Sequence, residues 1–238
     1  MRAMIFAAGL GTRLRPFTDH HPKALAQVNN KSLLQRNIEY LRFAGVSEII
    51  INVHHFAGQI TGFLEANDNF GCKILISRET EELLETGGGL KKASWFFNDG
   101  QPFLVMNVDI LTNLNIPAFK KFHELHDPLV SLAVTDRASS RNFLFNGEGQ
   151  LCGWKNSMSR QERISLPSED YISKAFSGIQ MINPRIFPLI EEQGKFSLVD
   201  LYLRLAGNHP ILAYDHSGDI LVDVGKPEMI LLAEKQFS

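Results

Sequence analysis

Apolar runs of strand length alternate with helical spacings through the first half of the chain. Ala3–Ala8 is a short apolar run that stops at Gly9, the pattern of a strand buried on both faces. Leu33, Leu34, Ile38, Leu41 and Phe43 recur at helical intervals behind Ser32, a good N-cap, and before Gly45, a good stop; this predicts a helix over Ser32–Ala44. Glu48–Val53 is β-branched and reads as a strand, Ala57–Ala66 as a helix and Cys72–Ser77 as a strand. Gly87, Gly88 and Gly89 open a helix that runs through Lys92 and Ala93. Pro102–Asn107 is an apolar strand running up to Asp109, Ile116–Leu125 a helix and Leu129–Thr135 a strand. This order predicts an α/β fold with a mostly parallel central sheet flanked by helices and right-handed crossovers.

After Asp136 the alternation loosens. Phe143–Phe145, Leu151–Trp154 and Phe176–Ile182 predict shorter strands. The polar stretch Asn156–Asp170 reads either as a lid or substrate loop or as a disordered segment. Leu198–Leu205, Ile220–Val224 and Pro227–Gln236 close the chain as helix, strand and helix. With no internal repeat and no low-complexity tract, the 238 residues read as a single domain.

Composition narrows the class. The chain holds 24 Lys+Arg against 26 Asp+Glu, a formal net charge of −2, so nothing demands a nucleic acid or a membrane surface as partner. The two cysteines, Cys72 and Cys152, form no C-x-x-C pair and suit a reducing compartment. The N-terminal apolar run is too short for a signal peptide or a spanning helix, and no later window supplies one. A soluble, cytoplasmic protein is expected; a homo-oligomer stays open.

The sharpest motif follows the first strand: Ala7-Ala8-Gly9-Leu10-Gly11-Thr12-Arg13-Leu14-Arg15-Pro16. Glycines let backbone N–H groups close around phosphates, and arginine matches phosphate oxygens in a fork. A Walker loop is absent. A dinucleotide fingerprint lacks its third glycine, for which Leu14 stands, and Pro16 breaks the start of a helix. Alone, Gly9 and Gly11 are equally a strand-end turn. Pro22-Lys23-Ala24-Leu25 follows, with Lys23 on a chain stiffened by proline. Asp109 stands just beyond an apolar strand, where open α/β sheets gather ligands, and reads alone as a metal-binding acid or a turn cap. His54 and His55, adjacent in sequence, would point to opposite faces of a strand and make a poor metal pair. Trp95-Phe96-Phe97 reads as core, and Ser177 lacks the context of a hydrolase nucleophile.

Taken together, Ala7–Pro16 and Pro22–Leu25 resemble the signature of the sugar-1-phosphate nucleotidyltransferases, A-A-G-x-G-T-R-L-x-P followed by P-K-x-L. The resemblance implies a Rossmann-like nucleotidyltransferase fold. Residues 1–135 would be its nucleotide-binding part, and 136–238 would supply the sugar-binding part and a second metal ligand. It implies that Ala8, Gly9, Leu10, Gly11, Thr12 and Arg13 hold nucleotide phosphates. Lys23 would contact phosphate at the reacting centre, and Arg13, Lys23 and Asp109 would be catalytic. It further implies Mg²⁺ on Asp109 and on Asp223. The latter stands in Leu221-Val222-Asp223-Val224-Gly225, similar to the family's W-x-D-V-G-T with Leu221 for Trp and Lys226 for Thr. Val108 stands where the family often has glycine.

Glu85-Thr86-Gly87-Gly88-Gly89 resembles the base and ribose segment of a short-chain branch, the bacterial N-acetylmuramate-1-phosphate uridylyltransferases. Glu85 and Gly88 are therefore expected at the nucleotide, and UTP as the triphosphate, with guanylyl and cytidylyl transfer as alternatives. Phe176-Ser177-Gly178-Ile179 resembles the strand that lies against the sugar, so Asn107, Ser177 and Gly178 are expected there. The family's V-E-K-P lysine has no counterpart motif; Lys155 and Lys174 are candidates by position only. A catalytically silent sensor or regulatory subunit would be expected to lose Arg13, Lys23, Asp109 or Asp223, and all four are present.

Overall fold

The computed structural model describes residues 1–237. β1 (Arg2–Phe6) enters the sheet first, and Ala3, Met4 and Ile5 are wholly buried. Three short 3₁₀ turns and a small hairpin, β2 (Gln27–Val28) with β3 (Lys31–Ser32), lead to α1 (Leu33–Phe43). Ser32 caps that helix as its residue type suggested: its Oγ accepts the Gln35 N–H at 3.0 Å. β4 (Glu48–Val53), α2 (Ala57–Ala66) and β5 (Lys73–Arg78) follow, and β1, β4 and β5 pair in parallel. α3 (Glu85–Lys92) leads to β6 (Phe103–Asn107), parallel to β1 on its other side. Then come β7 (Ile110–Thr112), α4 (Ile116–His126) and β8 (Val130–Thr135).

The second half is antiparallel. β9 (Arg141–Phe145), β10 (Leu151–Asn156) and β11 (Gln161–Ile164) form a meander. β12 (Ile172–Ile182) joins the halves: its start pairs with β9, its end with β6, and β8 lies along its other edge with a register break between Phe176 and Gln180. α5 (Leu198–Leu205) precedes β13 (Ile211–Asp215), which pairs in parallel with β8. β14 (Leu221–Asp223) leaves the main sheet to pair with β7, and α6 (Pro227–Gln236) follows. The result is an α/β fold on a mixed central sheet of ten strands, parallel where the glycine loop lies.

The period-two alternation of β1 and β4 explains helices on both faces. Ala3, Ile5, Ile49 and Ile51 point to one side, against Leu34, Ile38 and Leu41 of α1 and Phe119 of α4. Met4 and Ile50 point to the other, against Leu90 of α3 and Leu201, Tyr202 and Leu205 of α5. Each fully buried Leu or Ile contributes roughly 1.5–3 kcal/mol. A smaller third cluster, with Leu111, Val222, Val224 and Ala233, fastens the β7–β14 ribbon to α6.

Four expectations change. The polar stretch from Asn156 is no loop: it carries β11, whose four residues are all exposed. Gly87, Gly88 and Gly89 lie inside α3, which starts at Glu85. His54 and His55 stand beyond the end of β4, and the His54 Nδ1 meets the Glu79 backbone oxygen at 2.6 Å. In the aromatic run, Phe96 and Phe97 are core, Phe97 stacked on Phe103 at 3.7 Å between centroids, while Trp95 is largely exposed.

Candidate active site

Parallel strands β1, β4 and β6 end side by side. Their register sets Phe6 between Asn52 and Asn107, and these three residues floor a cleft of about 450 Å³ at the strands' carboxyl ends. The glycine loop supplies one wall through Ala8, Gly9, Gly11, Thr12 and Arg13. Glu85 and Thr86 from the start of α3, and Ser197 just ahead of α5, supply the opposite wall.

Hydrogen bonds fix the loop to the floor. The Asn52 Oδ1 accepts the Ala7 N–H at 2.8 Å, and its Nδ2 donates to Glu79 Oε1 at 2.7 Å. The other Glu79 oxygen accepts the Leu84 N–H at 2.9 Å. A buried carboxylate is thus satisfied by donors that tie the glycine loop to the entry of α3. Gly11 adopts φ +63°, and a Cβ there would stand 2.9 Å from both Lys23 Cβ and Thr18 Cγ2. Only glycine lets the loop pass this close to Lys23.

Lys23 reaches the centre of the cleft and ion-pairs with the Asp109 carboxylate. Asp109 follows β6 and is joined to the far end of the sequence by the β7–β14 ribbon. Asp223 stands opposite Ile110, and the Val224 N–H donates to the Asp109 backbone oxygen at 2.8 Å. The two acids are therefore neighbours across one ribbon. Burial pushes the Asp223 carboxyl up from the usual carboxylate range, the Asp109 charge pushes the same way, and Lys23, Arg13 and Arg137 oppose both. Its Oδ1 is buried without a hydrogen-bond partner. An orphaned carboxylate oxygen beside a second carboxylate suits a hard cation that takes carboxylate oxygens together with substrate phosphates. Among the described residues no group of three or more His, Cys, Asp or Glu is set for a metal, so protein ligation would come from this pair.

A second cleft, of about 690 Å³, shares Arg13 with the first and has Asp223 in its wall. Phe143, Trp154 and Phe176 give it an aromatic floor, and Arg137, Arg141, Ser139 and Ser140 line it as well.

The expected site residues fall into two groups. Ala8, Gly9, Gly11, Thr12, Arg13, Lys23, Glu85, Asn107 and Asp109 all face the first cleft. Leu10 is 48% exposed and lies outside its wall. Gly88 backs the wall instead of facing the cleft, its N–H donating to the Phe196 oxygen at 3.3 Å. Ser177 needs correction: it is fully buried, with its Oγ 2.7 Å from His216 Nε2, so its hydroxyl is not available to a sugar. The His216 Nδ1 in turn lies 3.3 Å from the half-buried Asp219 Oδ2, but Ser177 and His216 are buried and none of the three lines either cleft. Gly178 packs behind Asn107; a Cβ there would stand 2.9 Å from its Nδ2. Lys174 is held between Asp136 and Asp215, and neither it nor Lys155 lines either cleft.

Sequence reasoning missed Asn52, Thr86, Ser197 and the arginines of the second cleft. Asn52 carried a signal, a lone amide in the apolar run Ile49-Ile50-Ile51-Asn52-Val53. Arg137, in the polar segment after β8, and Arg141, the first residue of β9, carried none.

Residues 2–143 match the nucleotidyl transferase family, and the chain belongs to it. Over 99% of its length it is 30% identical to the N-acetylmuramate alpha-1-phosphate uridylyltransferase of Caulobacter vibrioides, of which it covers 96%. It is 28% identical to a probable mannose-1-phosphate guanylyltransferase of Oryza sativa, covering 95% of this chain but 62% of that one. Two solved structures show the same fold. HddC from Yersinia pseudotuberculosis, complexed with GMP-PN, superposes with a TM-score of 0.80 at 23% identity, covering 100% of this chain and 99% of that one. A UDP-glucose pyrophosphorylase complexed with UDP-glucose gives 0.80 at 18%, covering 99% and 97%. No helix among the described residues is long and apolar enough to cross a membrane.

Proposed function

We propose that this enzyme joins a nucleoside triphosphate to a sugar 1-phosphate, giving a nucleotide sugar and pyrophosphate. UTP is the favoured triphosphate, and N-acetylmuramate 1-phosphate or a related hexose 1-phosphate the acceptor. The observation that carries the reading is the junction of the two clefts, where Asp109, Asp223, Lys23 and Arg13 converge. One cleft has the glycine loop a triphosphate needs; the other has an aromatic floor and cations for a sugar phosphate. The Caulobacter relative supports the choice of uridine and sugar, and the Oryza relative keeps guanine as the competing base.

The sugar phosphate oxygen attacks the α-phosphorus, a new P–O bond forms, and the bond to the β-phosphate breaks with its electrons leaving on pyrophosphate. The nucleophile is already an anion, so no general base is needed; repulsion between two anions is the barrier. Backbone N–H groups of the loop from Gly9 to Arg13 hold the triphosphate, and Arg13, at the junction, faces both reactants. Lys23 neutralises Asp109 in the free protein and turns to the transferring phosphate when substrate enters. Ser197 orients the nucleotide from the wall, and Asn107, on the floor beside Asp109, keeps the sugar-side role expected of it. Asp109 and Asp223 fit Mg²⁺, which when bound would supply charge neutralisation at the phosphates.

A pyrophosphate-release screen tests the reading, crossing UTP, GTP, CTP and dTTP with a panel of sugar 1-phosphates, with and without Mg²⁺. Release only when both substrates and Mg²⁺ are present is expected. Activity with GTP or CTP and none with UTP would overturn the base; no release from any pair would overturn the reaction.

A further inference from the structure

We propose that Asn52 and Glu79 are positioning residues for the triphosphate: they form a relay of fixed hydrogen-bond polarity that sets the glycine loop at a constant distance from the α3 wall. The inference rests on the reaction proposed above and names two residues that hold its nucleotide cleft in shape.

Two backbone donors face each other across the gap between these segments. The Ala7 N–H, at the root of the glycine loop, donates to Asn52 Oδ1 at 2.8 Å. The Leu84 N–H, at the N-cap of α3, donates to Glu79 Oε2 at 2.9 Å. Between them the Asn52 Nδ2 donates to Glu79 Oε1 at 2.7 Å. Both residues are 2% exposed, so bulk water does not replace a missing partner. Donors enter from both ends, and the middle bond needs one donor and one acceptor. One carboxamide with one carboxylate meets these demands. Two carboxamides set one N–H against another, and two carboxylates set oxygen against oxygen. The acid at Glu79 is thus required by the direction of three hydrogen bonds, and its oxygens are met by amide N–H groups.

The order of the pair is also specific. Asn52 lines the nucleotide cleft and Glu79 does not, so the neutral amide faces the phosphates and the carboxylate stands one side chain behind. The Glu79 backbone is pinned on both sides: its N–H donates to the Val53 oxygen at 2.8 Å, and its own oxygen meets His54 Nδ1 at 2.6 Å. α3 closes over the middle bond at Gly89, where a Cβ would stand 2.9 Å from both Asn52 Nδ2 and Glu79 Oε1. A nucleoside triphosphate that spans the cleft, with phosphates on the loop and base on the α3 side, reads the separation that this relay fixes.

Isothermal titration of UTP and of GTP with Mg²⁺ present, alongside urea unfolding, tests the relay in Glu79→Gln, Asn52→Asp and the double variant. Glu79→Gln alone sets two donors against each other and should weaken triphosphate binding about tenfold or more. Asn52→Asp alone sets two carboxylates together. In the double variant the new carboxylate at position 52 accepts from the Ala7 N–H and from the new carboxamide at position 79, whose oxygen accepts from the Leu84 N–H. All three bonds return, the middle one reversed. That carboxylate now lies on the cleft floor, so the double variant is compared with Asn52→Asp, which has the same acid there. Glu79→Gln should therefore harm the wild-type protein, and in Asn52→Asp that cost should vanish or turn into a gain. A single variant that fails to fold while the double variant folds and binds supports the relay equally. Equal losses from Glu79→Gln in both backgrounds overturn the inference. So does a Glu79→Gln protein with a lowered urea midpoint and an unchanged Kd, in which the contact is structural only. A wild-type protein that binds neither triphosphate overturns the reaction proposed above, and the inference with it.

Discussion

The same substitution, Gly→Ala inside a helix, is expected to act with opposite sign at two places in this fold. Gly62 lies in the exposed interior of α2, and a Cβ there meets nothing within 4 Å. Alanine then only restricts the unfolded chain and improves helix propensity, so Gly62→Ala should stabilise by up to ~1 kcal/mol. Gly88 lies in α3, where a Cβ would stand 2.2 Å from the Gly194 oxygen and 2.9 Å from Leu84 Cβ. Ordinary carbon–oxygen contact needs about 3.2 Å, so the segment through Gly194 must retreat by about 1 Å or α3 must shift. Overpacking of this kind costs ~1–3 kcal/mol or more, which exceeds the helix gain of about 1 kcal/mol. The displaced segment is tied to the nucleotide wall. Gly87 N–H donates to the Phe196 oxygen at 2.9 Å, Leu198 N–H to Thr86 Oγ1 at 3.0 Å, and Ser197 lines the cleft. A misplacement near 1 Å can cost about a hundredfold in rate. Urea unfolding and steady-state pyrophosphate release on both variants measure the outcome. Gly88→Ala should lose about 2 kcal/mol and tenfold or more in kcat/KM, while Gly62→Ala should be active and no less stable than wild type. A Gly88→Ala protein as stable as the parent with an unchanged KM for triphosphate would refute the argument that this glycine is required by close approach.

Other expectations follow from the acids and from one buried histidine. Lys23→Ala and Asp109→Asn should each cost about a hundredfold or more in turnover with the circular dichroism spectrum unchanged, since the proposed reaction sets this ion pair at the reacting phosphates. Asp223→Asn should lose activity similarly yet gain stability in urea, about 1 kcal/mol or more, because it removes a buried charge whose Oδ1 lacks a partner. Millimolar Mg²⁺ should raise the Tm of the wild-type protein and fail to do so for Asp223→Asn; an equal rise in both would count against ligation by Asp223. His123 is buried, with Nδ1 2.9 Å from Ser131 Oγ, and burial lowers its pKa to about 4. The unfolded chain takes up this proton near pH 6.5 and the folded chain only near 4. Folding therefore loses stability as pH falls through that window, by about 3 kcal/mol in all. Urea midpoints at pH 7 and 4.5 should diverge more for wild type than for His123→Phe.

What the sequence makes legible depends on how much of each element is buried. β4 is legible because five of its six residues are buried and its β-branched run marks a strand covered on both faces, and α2 because its buried positions Ile60 and Leu64 recur at helical spacing. β11 does not, because none of its four residues is buried and a strand exposed on both faces writes no apolar pattern. β13 escapes because its five residues alternate poorly, Ile211 alone being fully buried. In the site, the glycine loop and Lys23 announce themselves by local motif, since backbone approach to phosphate demands particular residues in order. Asp223 was reached through family resemblance; its partnership with Asp109 depends on a pairing between distant strands that no local pattern encodes. Ser177 shows the opposite failure, a residue in a recognisable segment whose side chain turns inward to His216.

Both carboxylates ride on the β7–β14 ribbon, which stands apart from the ten-stranded sheet and is fastened to α6 by its own small core. The distance between the acids is consequently set by strand register alone: a one-residue slip of β14 along β7 would take Asp223 from its place opposite Ile110 and turn its side chain to the other face, parting it from Asp109.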